Sequence, residues 1–192
     1  MVGKLSIVGV SGSVTRPSRT TALVGEIVER IVARLQGEAS LVELAESAPD
    51  LFAALTPDQL AGRGRAIVDV IEGADLLVVG TPVYRASMTG AFKHLFDLVD
   101  HRRFVGKPVV LAATGGSLLH GLVTEHQLRP LFGFLNALTL PTTVYAVEAD
   151  FENYHVATAA IHERIDRVAA EAVRQIPRRE EHLEVRRVTA SA

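Results

Sequence analysis

Five short apolar runs, each followed by a stretch with helical spacing, restrict this chain more than any other feature of its sequence. The runs are "KLSIVGV" (4–10), "SLVEL" (40–44), "ADLLVVG" (74–80), "KPVVLAATGG" (107–116) and "TLPTTVYAV" (139–147). Their length and their Val, Ile and Leu content read as buried strands. Between them, Leu23, Ile27, Val28, Ile31 and Leu35 recur at helical spacing and predict an amphipathic helix over 18–35. Leu60, Ile67, Val68 and Ile71 predict another over 58–72, and Phe92, Leu95, Phe96 and Val99 a third over 88–99. A fourth is expected over 118–138, broken near Leu128 because Pro130 lies inside it, and a last one over 156–176.

Strands that are apolar on both faces, joined through helices, require a parallel sheet covered on both sides. The expected fold is α/β: a flavodoxin-like, doubly wound, five-stranded parallel sheet of order 2-1-3-4-5 in three α/β/α layers. One domain is expected over 1–176, followed by a tail (177–192) of alternating charge that frays or lies against a neighbouring subunit. No internal repeat or linker interrupts the 192 residues.

Charge and composition exclude several classes of function. The formal net charge is −2 with both signs mixed along the chain, which argues against nucleic acid as a partner. The apolar runs are too short to span a bilayer. The chain has no cysteine and opens without an apolar leader, so a cytoplasmic location is expected. None of its 7 histidines falls in a metal-binding spacing, and no metal is expected.

In an open parallel sheet, ligands bind beyond the carboxyl ends of the strands, near the reversal of strand order. Three loops converge there: "SGSVTRPSRT" (11–20), "TPVYRASMTG" (81–90) and "TGGSLLHG" (114–121). The first offers the hydroxyls of Ser11, Ser13, Ser18 and Thr20, the cations Arg16 and Arg19, and a helix N-terminus. It admits two readings, an ordinary helix cap with solvated neighbours or a cradle for a phosphate monoester. It matches neither G-x-G-x-x-G nor a P-loop, so a mononucleotide suits it better than a dinucleotide. In the second loop Pro82 extends the chain and Tyr84 can lie against a flat ring, or simply pack. Arg85 suits a further anion such as a nicotinamide nucleotide, or is a surface charge. In the third, Gly115 and Gly116 let backbone approach a ligand closely, or make a turn.

The runs "GSVTRPSRT", "GTPVYRASMTGAFKHLFDLVD" and "ATGGSLLHGLVTEHQLRPLFGFLNALTLP" resemble the NAD(P)H-dependent FMN reductases of two-component sulfonate-utilisation systems, most nearly those of methanesulfonate systems. The likeness spans residues 4–175. It implies reversible binding of FMN, its reduction by NADH or NADPH, and release of reduced FMN to a flavin-dependent monooxygenase that cleaves C–S bonds. Carried onto this chain, it implies phosphate contacts from Ser11, Ser18, Arg19 and Thr20, with Arg16 nearby. Ring contacts would come from Pro82, Val83, Tyr84, Arg85, Ala86 and Ser87, and from Thr114, Gly115, Gly116 and Ser117. It also implies a homo-oligomer, a dimer or a tetramer, with "HGLVTEHQLRP" at the tetramer contact. In the alkanesulfonate-type enzymes a tyrosine inserted in that helix creates a π-bulge. His126 stands at that position here; it either preserves a π-turn or continues the face of Leu122.

Hydride transfer between nicotinamide and flavin needs stacking rather than acid–base help. Accordingly no catalytic side chain is named; His120, the one titratable candidate in the loops apart from Tyr84 and the arginines, is read as helix-terminal. Competing readings are an FMN-retaining quinone or azo reductase, an electron-carrying flavodoxin, and a flavin sensor without turnover.

Overall fold

In a computed structural model that describes residues 4–35 and 37–176, the apolar runs lie side by side as one parallel sheet. It contains β1 (Ser6–Ser11), β2 (Glu38–Glu43), β3 (Leu76–Pro82) and β4 (Pro108–Gly115). The fifth strand comes in two pieces, β5 (Leu138–Thr139) and β6 (Val144–Val147), each parallel to β4. The order is β2-β1-β3-β4-β5, the flavodoxin-like arrangement.

Alternation along the strands sorts side chains into two cores. Val8, Val10, Leu77, Val79 and Leu111 face one layer, containing α2 (Leu44–Phe52), α3 (Gly62–Gly73), α4 (Gly90–Asp97) and α5 (Arg129–Phe134). Ile7, Leu76, Val78, Val110 and Ala112 face the other, containing α1 (Arg19–Leu35) and α6 (Ala159–Gln175). The strands are hydrophobic throughout because both faces are covered.

Several boundaries differ from expectation, each for a local reason. Leu44, expected to end a strand, opens α2, which carries Pro49 inside it and for that reason does not read as helix in sequence. The helix expected from residue 58 begins at Gly62, after a short 3-10 turn over Pro57–Gln59. A two-stranded hairpin, β7 (Phe151–Glu152) with β8 (His155–Val156), precedes the last helix. The charged tail from Pro177 lies outside the described residues.

The break near Leu128 is a change of helix type. A 3-10 turn (Leu118–His120) leads into a π-helical turn, Thr124–Leu128, where the Arg129 N–H donates to the Thr124 carbonyl. Pro130 then sits in the first turn of α5, where its missing N–H costs little. α5 stops at Phe134, and Asn136 reverses the chain in the left-handed region with φ 56°. The fifth strand breaks around Pro141, which has no N–H to give the ladder. Arg129 serves the carbonyls left over, donating to Leu140 at 3.1 Å and Pro141 at 3.3 Å.

At the amino end of β4 Lys107 is buried, and its Nζ donates to the Glu72 carbonyl at 2.8 Å, capping α3. Burial pulls its pKa down from 10.5 to about 8. Between those two values the unfolded chain binds more protons than the folded one, so stability rises with pH. Urea unfolding is expected to show a gain of up to about 3 kcal/mol between pH 8 and 10.5, absent from the profile of Lys107→Met.

Candidate active site

β1, β3 and β4 end together, with Ser11 beside Gly80 and Pro82 beside Thr114. The chain segments that leave them line an open cleft of about 330 Å³.

The first segment turns out of the sheet at Gly12. Its N–H donates to the Gly80 carbonyl at 2.7 Å, and its carbonyl accepts from Thr89 Oγ1 at 2.8 Å. A Cβ at Gly12 would lie 2.7 Å from the Phe92 ring, so the turn has no room for a side chain. Ser13 is buried and donates to the Thr15 carbonyl at 3.1 Å. Ser18 Oγ accepts the Thr21 N–H at 3.2 Å and caps α1, which keeps the hydroxyl hydrogen free to donate. Thr20 shares a 2.6 Å hydrogen bond with Thr114 and so ties the first segment to the third. Ser13, Ser18, Arg19 and Thr20 all line the cleft, and with them the first turn of α1, the end where N–H groups and the helix dipole favour an anion.

Two residues expected in this cradle are placed elsewhere. Ser11 is fully buried behind the cleft, sharing a 2.7 Å bond with Thr21 Oγ1. Arg16 turns toward β2 and α2, where Nη2 donates to Glu43 at 2.6 Å and Nη1 pairs with Glu46. Its charge is spent on two carboxylates that fasten the loop.

Pro82, Val83 and Tyr84 line the facing wall. The Val83 N–H donates to the Thr114 carbonyl at 2.7 Å. Tyr84 and Ser87 exchange backbone hydrogen bonds of 2.9 and 3.1 Å around Arg85 and Ala86, whose φ values of 52° and 64° are left-handed. A tight turn of this hand usually takes Asn or Gly, so two side-chain-bearing residues here are strained. Arg85 and Ala86 are exposed and Ser87 bonds Gln127 at 3.3 Å; none of the three lines the cleft.

Thr114, Gly115 and Gly116 form the floor. A Cβ on Gly115 would come within 2.2 Å of the Tyr145 hydroxyl, which itself donates to the Ser117 carbonyl at 2.5 Å. Ser117 caps the following 3-10 turn through the Leu119 N–H and does not line the cleft. His120 lies in that turn, exposed.

Sequence reasoning missed Thr15, Pro17, Val147, Glu148 and Tyr154, which complete the lining. The signal for Glu148 was available, because it follows the carboxyl end of the fifth strand, where the same rule applies. Glu148 pairs with Arg19 Nη2, and the Arg19 guanidinium also sits 5.6 Å from the centre of the Tyr154 ring. The cleft therefore has a polar pole with one cation, the carboxylate paired to it and several hydroxyls, together with an apolar stretch from Pro82 and Val83, the rings of Tyr84 and Tyr154, and two glycines. Among the described residues lining it there is no nucleophile–base pair.

Fold and cleft together define the class, a flavodoxin-type α/β protein with a ligand cleft at the carboxyl edge of its sheet. A family model described as "NADPH-dependent FMN reductase" matches residues 5–152. The chain is 46% identical over 171 residues to "FMN reductase (NADPH)" of Pseudomonas aeruginosa, covering 89% of this chain and 91% of that protein. It is 50% identical over 167 residues to "NADH-dependent FMN reductase SfnE" of Pseudomonas putida, covering 87% and 89%. An oxidoreductase from Corynebacterium diphtheriae superposes with TM-score 0.82 at 35% identity, covering 90% of this chain and 97% of that one. The chain belongs to the NADPH-dependent FMN reductase family, and is an oxidoreductase that works with FMN and a nicotinamide nucleotide. No helix among the described residues is long and apolar enough to cross a membrane.

Proposed function

We propose that the cleft takes free FMN as an exchangeable substrate, that NADH or NADPH reduces it there, and that the reduced flavin passes to a monooxygenase acting on sulfonates. The observation that carries this reading is the polarity of the cleft. Ser13, Ser18, Arg19 and Thr20 at the first turn of α1 suit a phosphate dianion, while Pro82, Val83, Tyr84 and the Gly115–Gly116 floor suit a flat ring. Bound flavin supplies the hydride-accepting chemistry, and the protein's part is to hold the ring and leave one face open. Openness of the cleft and the exposure of Tyr84, 47%, support a site that a second flat molecule can enter. The sulfonate monooxygenase as acceptor rests on the sequence resemblance.

The test is steady-state loss of nicotinamide absorbance with FMN, FAD and riboflavin in turn. Oxidation of NADH or NADPH that depends on added FMN is expected, and its absence with both nucleotides overturns the proposal. A yellow cofactor retained through purification, with ping-pong kinetics toward a quinone, would replace it with the retained-flavin reading. In binding measurements, Ser18→Ala and Arg19→Ala are each expected to weaken FMN by about 1–3 kcal/mol, the scale of a hydrogen bond to a charged group, and to leave riboflavin unchanged.

We also propose that the protein is a homo-oligomer. Leu118, Leu119 and Leu122 are 77, 89 and 60% exposed just before the π-helical turn, three large apolar side chains within five residues that a monomer would leave wet. Leu119→Asp is expected to lower the mass measured by light scattering; an unchanged mass that is already monomeric overturns the assignment.

A further inference from the structure

We infer that Glu148 is a built-in competitor for the flavin phosphate, setting how easily FMN leaves. This rests on the reading of the polar pole given above and goes beyond it in assigning a residue that opposes binding.

Arg19 is the only cation among the described residues that line the cleft. Its guanidinium is engaged by the Glu148 carboxylate, which lines the same cleft. A carboxylate and a phosphate present alike oxygens to a guanidinium and bind it in the same manner, so both cannot be fully served at once. Glu148 is held ready for this role. It opens the 3-10 turn after β6, and that turn is pinned by Asp150, which accepts from the Val147 N–H at 2.8 Å and from Thr158 Oγ1 at 2.9 Å. The Glu148 side chain makes no comparable commitment; Arg19 is its one partner among the described residues.

The pair is also solvated, with side-chain exposures of 38% for Arg19 and 72% for Glu148. An exposed pair of this kind contributes little and opens readily. A ligand phosphate can therefore take the guanidinium, but two effects then oppose it. The pair must be given up, which lowers the fraction of protein ready to bind. The released carboxylate then stays beside a dianion in the same cleft, and like charges repel. Both effects have the same sign. Tyr154, on the β7–β8 turn, lines the same cleft with its ring centre 5.6 Å from the Arg19 guanidinium.

The experiment measures FMN and riboflavin affinity by flavin fluorescence, together with FMN release rate, in wild type, Glu148→Gln, Arg19→Ala and the double variant. Glu148→Gln keeps the shape and removes the charge, and Glu148→Ala serves as a second variant. The expected result is FMN bound about three- to tenfold more tightly and released more slowly in Glu148→Gln, riboflavin unchanged, and the gain lost in the Arg19→Ala background. FMN affinity that does not change in Glu148→Gln or Glu148→Ala, while Arg19→Ala still weakens FMN, overturns the inference and leaves the phosphate reading intact. So does a gain shared by riboflavin or surviving in Arg19→Ala, since competition for Arg19 predicts neither. Equal wild-type affinity for FMN and riboflavin overturns the phosphate reading beneath it.

Discussion

Gly80→Val is expected to damage folding and binding together, costing more than the roughly 1–3 kcal/mol typical of overpacking and abolishing FMN binding with it. Gly80 is buried in the central strand β3. A Cβ there would sit 2.4 Å from Val24 Cγ2 and 3.4 Å from the methyl of Thr20, both on α1. Val24 is itself fully buried and has nowhere to go. Relief requires α1 to move off the sheet, and its first turn is the polar pole of the cleft. Denaturant unfolding and flavin titration should therefore fail together, with Gly80→Ala intermediate in both. Gly116→Ala is the control for stability, since a Cβ there meets nothing within 4 Å. A stable Gly80→Val protein with normal flavin affinity would mean that α1 does not set the cleft.

Phe96→Ala is expected to lower stability by about 3–5 kcal/mol without altering flavin affinity in the molecules that remain folded. Phe96 is the hub of an aromatic cluster, with ring centres 4.8 Å from Phe92, 6.2 Å from Phe104 and 4.8 Å from Phe132. It is 3% exposed, so truncation leaves a cavity among three large rings and forfeits their edge contacts. It lies on the α4 side of the sheet, one ring removed from the first segment of the cleft, which it reaches through the start of α4, where the Phe92 ring packs on Gly12 and the capping Thr89 holds the Gly12 carbonyl. Urea midpoints together with FMN titration below the unfolding transition distinguish the two effects. A loss of affinity at full folding would show that the α4 cap transmits more than we expect.

The sheet was legible in the sequence because each buried strand is a short run of branched apolar residues bounded by glycine or charge, as in "ADLLVVG". The three converging loops followed from strand order alone. Long-range pairing was not legible. Arg16 reads as a phosphate ligand when only its own loop is considered, since Glu43 and Glu46, which take its charge, stand 27 and 30 positions away. Glu148 and Tyr154 come to the cleft from 129 and 135 positions beyond Arg19, on a strand end and a two-residue hairpin too short to leave a periodic signal. Ser18 shows a different limit. Its type and position suit both a cap and an anion contact, and the fold lets one hydroxyl serve the first while leaving its hydrogen for the second. The π-helical turn was foreshadowed twice, by Pro130 as a break and by the resemblance, which left a π-turn open at His126; His126 lies inside the turn, Thr124–Leu128.

The divided fifth strand bears on how this protein behaves when crowded. A long straight border would offer a row of unpaired peptide groups onto which a neighbouring molecule could zip, the first step toward fibrous association. Here that border is a two-residue piece and a four-residue piece separated by a proline kink, while the opposite border, β2, is closed at each end by a glutamate. The divided border is too short to copy, and on β2, which is six residues long, a neighbouring strand would have to pair beside a charge at either end.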